Sequence, residues 1–163
     1  ADSSSAIANP NERMPVQLAN DSVLLSIRNA SPIKRRAFST SNDGVSGWSR
    51  TRFEKELFEP TCMASIVAFP PLGKNEKPAI LFVNPDSKDI EKNPRQNLTA
   101  KLSFDNGYTW SHQKVLNSGP SGYSDIAVGA DGTVYCLYET NTAGKGFNYS
   151  LVLKKFNRKW LLQ

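Results

Sequence analysis

Apolar and polar residues alternate along much of this chain with a period of two, in short runs punctuated by Gly, Pro, Asn and Asp. That is the pattern of half-buried β-strands, because successive side chains of a strand point to opposite faces. A first group of runs covers residues 16–18, 23–27 and 36–40, broken at Asn20-Asp21 and Ser31-Pro32, and a turn over 41–48 leads to a fourth run near 50–53. A second group covers 64–69, 79–83, 97–103 and 113–116. The third has runs at 124–128, 133–138 and 149–156, with Asp131-Gly132 as a turn. Helical periodicity is absent, and residues 1–10 read as an entry loop ending in Asn9-Pro10.

In each of the first two groups a Trp-bearing turn separates the third run from the fourth. The fuller copy is Ser103-Phe104-Asp105-Asn106-Gly107-Tyr108-Thr109-Trp110. Asp105 can turn its carboxylate onto backbone N–H groups of its own loop, Gly107 can take the positive φ the turn needs, and Trp110 opens the next strand with a large apolar face. The earlier copy, Ser41-Asn42-Asp43-Gly44-Val45-Ser46-Gly47-Trp48, keeps Ser, Asp and Trp in register but misplaces its glycine, and reads as degenerate. Repeated four-stranded units with a fixed turn signature indicate an all-β chain of propeller blades, about three here, over 11–53, 62–116 and 121–163. Closed propellers need about four to eight blades, so the chain is expected to be half of a longer propeller or to complete a ring by oligomerising.

Composition narrows the partners. The 163 residues, 39% hydrophobic, are enough for one ordinary core. No apolar run approaches the roughly 18 residues of a membrane span, so none is expected. Without an initiator Met or a leader pattern, the chain starts as a mature or excised piece would. The net charge of +5 is spread out, apart from Lys34-Arg35-Arg36 and Lys154-Lys155, which read as solvated strand faces; no nucleic-acid partner is expected. Cys62 and Cys136 lie in apolar surroundings and read as buried free thiols rather than a disulfide. Asn20, Asn29, Asn97 and Asn148 begin sequons that matter only on a eukaryotic secretory route. Nothing calls for a cofactor or a metal.

Strand parity locates the chemistry. In a meandering blade, the entry to the first strand and the connection between the second and third share one face, and the Trp-bearing turns lie on the other. Glu12 precedes the first strand of the first group, Arg28 ends its second strand, Arg95 lies in the long 84–95 connection, and Tyr123 begins the first strand of the third group. All four therefore fall on one face near the axis. One acid, two arginines and a tyrosine make a candidate site for a carboxylate-bearing ligand, because guanidinium groups bind carboxylates in a bidentate, always-charged geometry.

The Trp-bearing turn resembles the Asp-box, Ser-x-Asp-x-Gly-x-Thr-Trp, and almost the whole chain resembles the second half of an exo-α-sialidase (neuraminidase). The resemblance runs through Asn11-Glu12, Ser22 to Asn29, Glu59-Pro60-Thr61-Cys62-Met63-Ala64-Ser65, Asn93-Pro94-Arg95, Gly122-Tyr123-Ser124-Asp125 and Phe156-Asn157 to Trp160-Leu161. It implies that Tyr123 is a catalytic nucleophile with Glu12 as its partner, and that Arg28 and Arg95 are the second and third members of an arginine triad that binds sialic acid. It also implies hydrolysis of terminal α-linked sialic acids with retention, on glycoprotein, glycolipid or oligosaccharide. The first arginine and an acid/base aspartate would come from an N-terminal half, as a second chain or a missing segment. Met63 departs from the glutamine the family often has there. Two alternatives stand beside this reading: a non-catalytic propeller that binds an anionic glycan or protein, and a trans-sialidase.

Overall fold

The computed structural model describes residues 7–141 and 150–163. Among these residues, ten strands and one short helix follow in order: β1 Asn11–Gln17, β2 Val23–Arg28, β3 Arg35–Ser41, β4 Arg52–Phe58, β5 Ser65–Phe69, β6 Ala79–Pro85, β7 Gln96–Ser103, β8 His112–Val128, β9 Thr133–Thr140, β10 Ser150–Asn157 and α1 Arg158–Leu162. The first four form an antiparallel meander, β1-β2-β3-β4, and the rest a second sheet ordered β10-β9-β8-β7-β6-β5. Together they make part of a β-propeller. The Asn148 sequon and Tyr149, where the last run was expected to begin, lie outside the described residues.

Three expectations are corrected. The runs at 113–116 and 124–128 are one strand: β8 gives its first part to β7 and its second to β9, with register shifts on both sides of the exchange. Between the two runs, around Gly119-Pro120, the Pro120 carbonyl accepts from Asn117 Nδ2 at 2.9 Å and Thr140 Oγ1 at 2.8 Å, and Ser121 N donates to Arg95 O at 3.0 Å. Proline is tolerated in a sheet at such an irregularity because no ladder donor is needed there. Secondly, α1 exists, capped by Asn157, whose Oδ1 accepts from Trp160 N at 2.9 Å; five residues are too few to show a helical period. Thirdly, Lys34-Arg35-Arg36 is no solvated face: Arg36 is fully buried and paired with buried Glu59. Lys154 likewise uses its amine on Leu116 O, at 2.6 Å, whereas Lys155 is exposed.

Cys62 and Cys136 are both buried and free. Asn29, also buried, spends its side-chain amide on Arg35 O at 3.0 Å, so that sequon cannot carry a glycan without unfolding the segment.

Both Trp-bearing turns close in the same way. Asp105 accepts from Tyr108 N, Thr109 N and Thr109 Oγ1 at 3.1, 2.8 and 2.7 Å, and Ser103 Oγ accepts from Gly107 N at 2.9 Å. Asp43 accepts from Val45 N, Ser46 N and Ser46 Oγ at 2.9, 2.7 and 2.7 Å, and Ser41 Oγ from Gly44 N at 3.0 Å. Gly44 thus does the work of Gly107, both at positive φ, and the residue missing before it is made up after it by Gly47, also at positive φ. The two turns differ in what their tryptophans touch. Trp48 is 38% exposed. Trp110, 5% exposed, is wedged between Phe38 of the first sheet and Phe82 of the second, ring centroids 6.2 and 5.6 Å away.

Polar bonds reinforce this seam. Trp110 N donates to Glu56 Oε2 at 3.1 Å, Lys101 Nζ to Glu56 O at 2.7 Å, Asn84 Nδ2 to Phe58 O at 2.8 Å, and the Arg52 guanidinium to Gly107 O at 3.3 Å. Truncating a buried aromatic leaves a cavity as well as lost contact area. Trp110→Ala should therefore lower unfolding free energy by about 3–5 kcal/mol, and Trp48→Ala by less than about 1 kcal/mol. Urea denaturation of the two variants side by side checks this, and equal losses would refute the wedge.

Candidate active site

The end of the strands away from the Trp-bearing turns carries the charged cluster. Register shows the separation: Val23 at one end of β2 pairs with Ser41, where a turn begins, and Arg28 closes the other end. On β6, Ile80 pairs with Ser103 and Pro85 with Leu98 in the same sense.

Four residues distant in sequence converge there. Glu12 sits in an irregularity of β1 where the register shifts between Asn11 and Arg13, with φ at 40°, so it lies within the strand's first turn of chain rather than before it. A bulge of this kind re-aims a side chain. Its Oε1 accepts from Tyr123 Oη at 2.5 Å across 111 residues of sequence, and its Oε2 pairs with the Arg28 guanidinium. Arg28 also donates to Tyr123 Oη at 2.8 Å. Tyr123 lies in the middle of β8, beside the shift between Ser121 and Ser124, and does not begin a strand. Arg95, just ahead of β7, places its guanidinium carbon 5.7 Å from the Tyr123 ring centroid, and that of Arg28 lies 5.9 Å away.

Two contacts were not legible in the sequence. Arg95 donates to the main-chain carbonyl of Thr61 at 2.9 Å. Tyr123 N donates to Glu139 Oε2 at 2.9 Å, an approach possible because residue 122 is glycine: a Cβ there would stand 2.4 Å from that oxygen. The Gly-Tyr pair was the available signal for a close neighbour.

Charge follows from this geometry. Burial by itself would raise the Glu12 carboxyl, but hydrogen bonds from Tyr123 and Arg28, with the positive charges of Arg28 and Arg95, hold it below the ordinary value. The Tyr123 phenol is raised, first by its hydrogen bond to Glu12 and then by burial, against the opposing pull of Arg28. For Arg28, burial acts downward and the bonds to Glu12 and Tyr123 prevail, so its charge is reinforced. At neutral pH the proton sits on the phenol, aimed at an ionised carboxylate, between two fixed cations. Such a cluster can bind a carboxylate and move one proton from tyrosine to glutamate.

A cavity of about 150 Å³ touches Tyr123 and is walled by Met63, Leu137, Glu139 and Leu151. A larger one of about 400 Å³, lined by Leu18, Phe69, Pro71 and Asn106 among others, opens at the turn end and shares no residue with the cluster. The smaller cavity is the one that borders the cluster, through Tyr123. Among the described residues no group of three or more His, Cys, Asp or Glu is disposed to hold a metal, and no helix is long and apolar enough to cross a membrane.

Residues 3–136 match the family model of the BNR repeat-like domain. The chain is 33% identical over 153 residues to a sialidase of Micromonospora viridifaciens, covering 92% of this chain and 22% of that protein. It is 30% identical over 149 residues to a sialidase of Bacteroides fragilis, covering 87% and 26%. It therefore spans about a quarter of the length of these relatives. Among solved structures, a Hadza microbial sialidase superposes with a TM-score of 0.74 at 31% identity, over 94% of this chain and 28% of that one. The intramolecular trans-sialidase of Ruminococcus gnavus superposes with a TM-score of 0.76 at 21% identity, over 94% and 34%, a likeness of fold.

Since the Glu12 carboxyl titrates lower when folded than its ordinary 4.5, the unfolded chain binds the extra proton on acidification. Its contribution is complete above the unfolded value and is lost as pH falls through the folded one. The stability difference between wild type and Glu12→Gln should shrink below about pH 4.5. Denaturation midpoints across an acid series measure it; a difference independent of pH would mean that the bonds to Tyr123 and Arg28 do not hold the carboxylate.

Proposed function

For a chain that belongs to the sialidase family of BNR, or Asp-box, repeat proteins, we propose that the Glu12–Arg28–Arg95–Tyr123 cluster is part of a site that cleaves terminal α-linked sialic acids. The observation that carries this reading is the Tyr123–Glu12 hydrogen bond of 2.5 Å, made between residues of different sheets with Arg28 touching both.

The residue types suit that substrate. Sialic acid carries a carboxylate on its anomeric carbon, so an Asp or Glu nucleophile would approach against like charge. A phenol is neutral until it attacks, and sialidases with a tyrosine nucleophile are a recognised exception to the two-carboxylate scheme of glycosidases. In the proposed first step the Tyr123 oxygen bonds to the anomeric carbon, Glu12 takes the phenolic proton, and the bond to the leaving oxygen breaks. In the second, water attacks that carbon from the side of the departed group, gives its proton to the group that protonated the leaving oxygen, and the glycosyl–tyrosine bond breaks. Glu12 returns its proton to the phenolate, and two inversions give net retention. Arg28 and Arg95 hold the carboxylate as the second and third arginines of a triad.

An acid for the leaving oxygen and a further arginine belong, in this proposal, to an N-terminal half of the propeller, with residues 1–163 as its C-terminal half and blades near 11–53, 62–116 and 121–163. The substrates are sialylated glycans on protein, lipid or free oligosaccharide, and no cofactor takes part.

Release of fluorophore from an α-sialoside by the protein as encoded, with this chain joined to the segment preceding it in its gene, tests the assignment. Glu12→Gln should lower turnover by about 10²–10⁴ and Tyr123→Phe by at least as much, while Arg95→Ala should lower kcat/KM more than about tenfold. Undiminished release by Tyr123→Phe would sink the nucleophile assignment, and a protein that binds sialosides without cleaving them would make this a binding propeller.

A further inference from the structure

Beneath the cluster lies a buried acid that the proposed reaction does not use. Glu59 and Arg36 are each about 1% exposed at the side chain, with Arg36 Nε 3.2 Å from Glu59 Oε2, and Arg36 also donates to Cys62 O at 3.0 Å. Removing two charges from water is unfavourable unless the remaining lone pairs and protons find partners. Glu59 Oε1 finds one in the backbone N–H of Cys62, which donates to it at 3.2 Å, and the N–H groups of Asn29 and Thr61 also favour its charged form, while Arg36 Nε and Glu59 Oε2 face each other without a hydrogen bond.

The identity of those amides matters. Asn29 directly follows Arg28. Thr61 is the residue whose carbonyl receives Arg95 at 2.9 Å, and it is held at φ 55°, a conformation that a β-branched residue adopts only when its surroundings impose it. One carboxylate is thus bonded to the N–H of the very peptide unit whose carbonyl anchors Arg95, and lies near the amide that follows Arg28. Core stability alone would not require a strained threonine there.

We propose that Glu59, seated on Arg36, is a positioning residue that sets the spacing of the Arg28 and Arg95 guanidinium groups and so the site's preference for a carboxylate-bearing ligand. This rests on the sialoside reading above. Shortening the carboxylate by one methylene keeps a charge opposite Arg36 but withdraws it from the amides, letting the Thr61 carbonyl turn and Arg95 drift. Displacements near 1 Å are enough to weaken a two-arginine clamp by about 10²-fold.

The test uses the protein as encoded and two probes, an unsaturated sialic acid analogue with a free carboxylate and its neutral carboxamide, with both affinities measured by calorimetry. Wild type should prefer the carboxylate, and Glu59→Asp should reduce that preference by about tenfold or more. The double variant Arg36→Met with Glu59→Gln, which strands neither charge, should do the same if Glu59→Asp folds poorly. A purely structural role would weaken both probes in step, and that result, like an unchanged preference in a folded variant, overturns the proposal while leaving the sialoside reading intact. A wild-type protein indifferent to the carboxylate overturns both.

Discussion

The packing of Trp110 between Phe38 and Phe82 is the constraint on which the rest of this molecule depends. Glu12 and Arg28 belong to the first sheet and Tyr123 to the second, so neither hydrogen bond that Tyr123 makes with them survives unless the two sheets keep one separation and one angle. Close-packed aromatic rings resist such slippage because small gaps forfeit dispersion energy and leave unfilled volume. The polar seam of Lys101, Asn84, Arg52 and Glu56 adds direction to that adhesion, since each bond crosses from one sheet to the other. A turn motif at one end of the strands therefore governs a charged cluster at the other. The strands between them transmit the register.

Within the cluster the electrostatics are unequal by design of position. Arg28 is bonded to both Glu12 and Tyr123, while Arg95 stacks toward the ring and spends a donor on Thr61. The carboxylate is thereby kept ionised and the phenol kept protonated, each favoured by its hydrogen bond to the other. That polarity suits a nucleophile that must be neutral on approach and lose its proton only on attack. The Arg36–Glu59 pair beneath is of a different kind: buried and bonded to the main chain at Cys62, it is placed to hold geometry.

Much of this architecture was legible in the alternation of residues. The strands, the two Trp-bearing turns, the free thiols and the one-ended distribution of Glu12, Arg28, Arg95 and Tyr123 follow from period-two patterning, turn chemistry and strand parity. The misreadings share a cause. Gly119-Pro120 has the composition of a turn, but its neighbours on β7 and β9 offer acceptors and donors that keep β8 extended. Lys34-Arg35-Arg36 has the composition of a solvated face, but Glu59 waits inside for Arg36. Gly44 looked misplaced until the turn around Asp43 proved to close with the same bonds. In the first two cases a partner far along the chain reversed the local preference, and in the third the turn's own side chains did.

Local sequence thus determined which segments are strands, where they turn, and which end of the meander holds the acid, the arginines and the tyrosine, because side-chain alternation and turn stereochemistry act over a few residues. Tertiary structure alone decided that the Tyr123 proton points at Glu12, that Glu139 holds the Tyr123 backbone, and that Arg95 anchors on the Thr61 carbonyl. Those contacts join residues tens of positions apart, and their distances depend on how two sheets pack, a quantity no short window of sequence encodes.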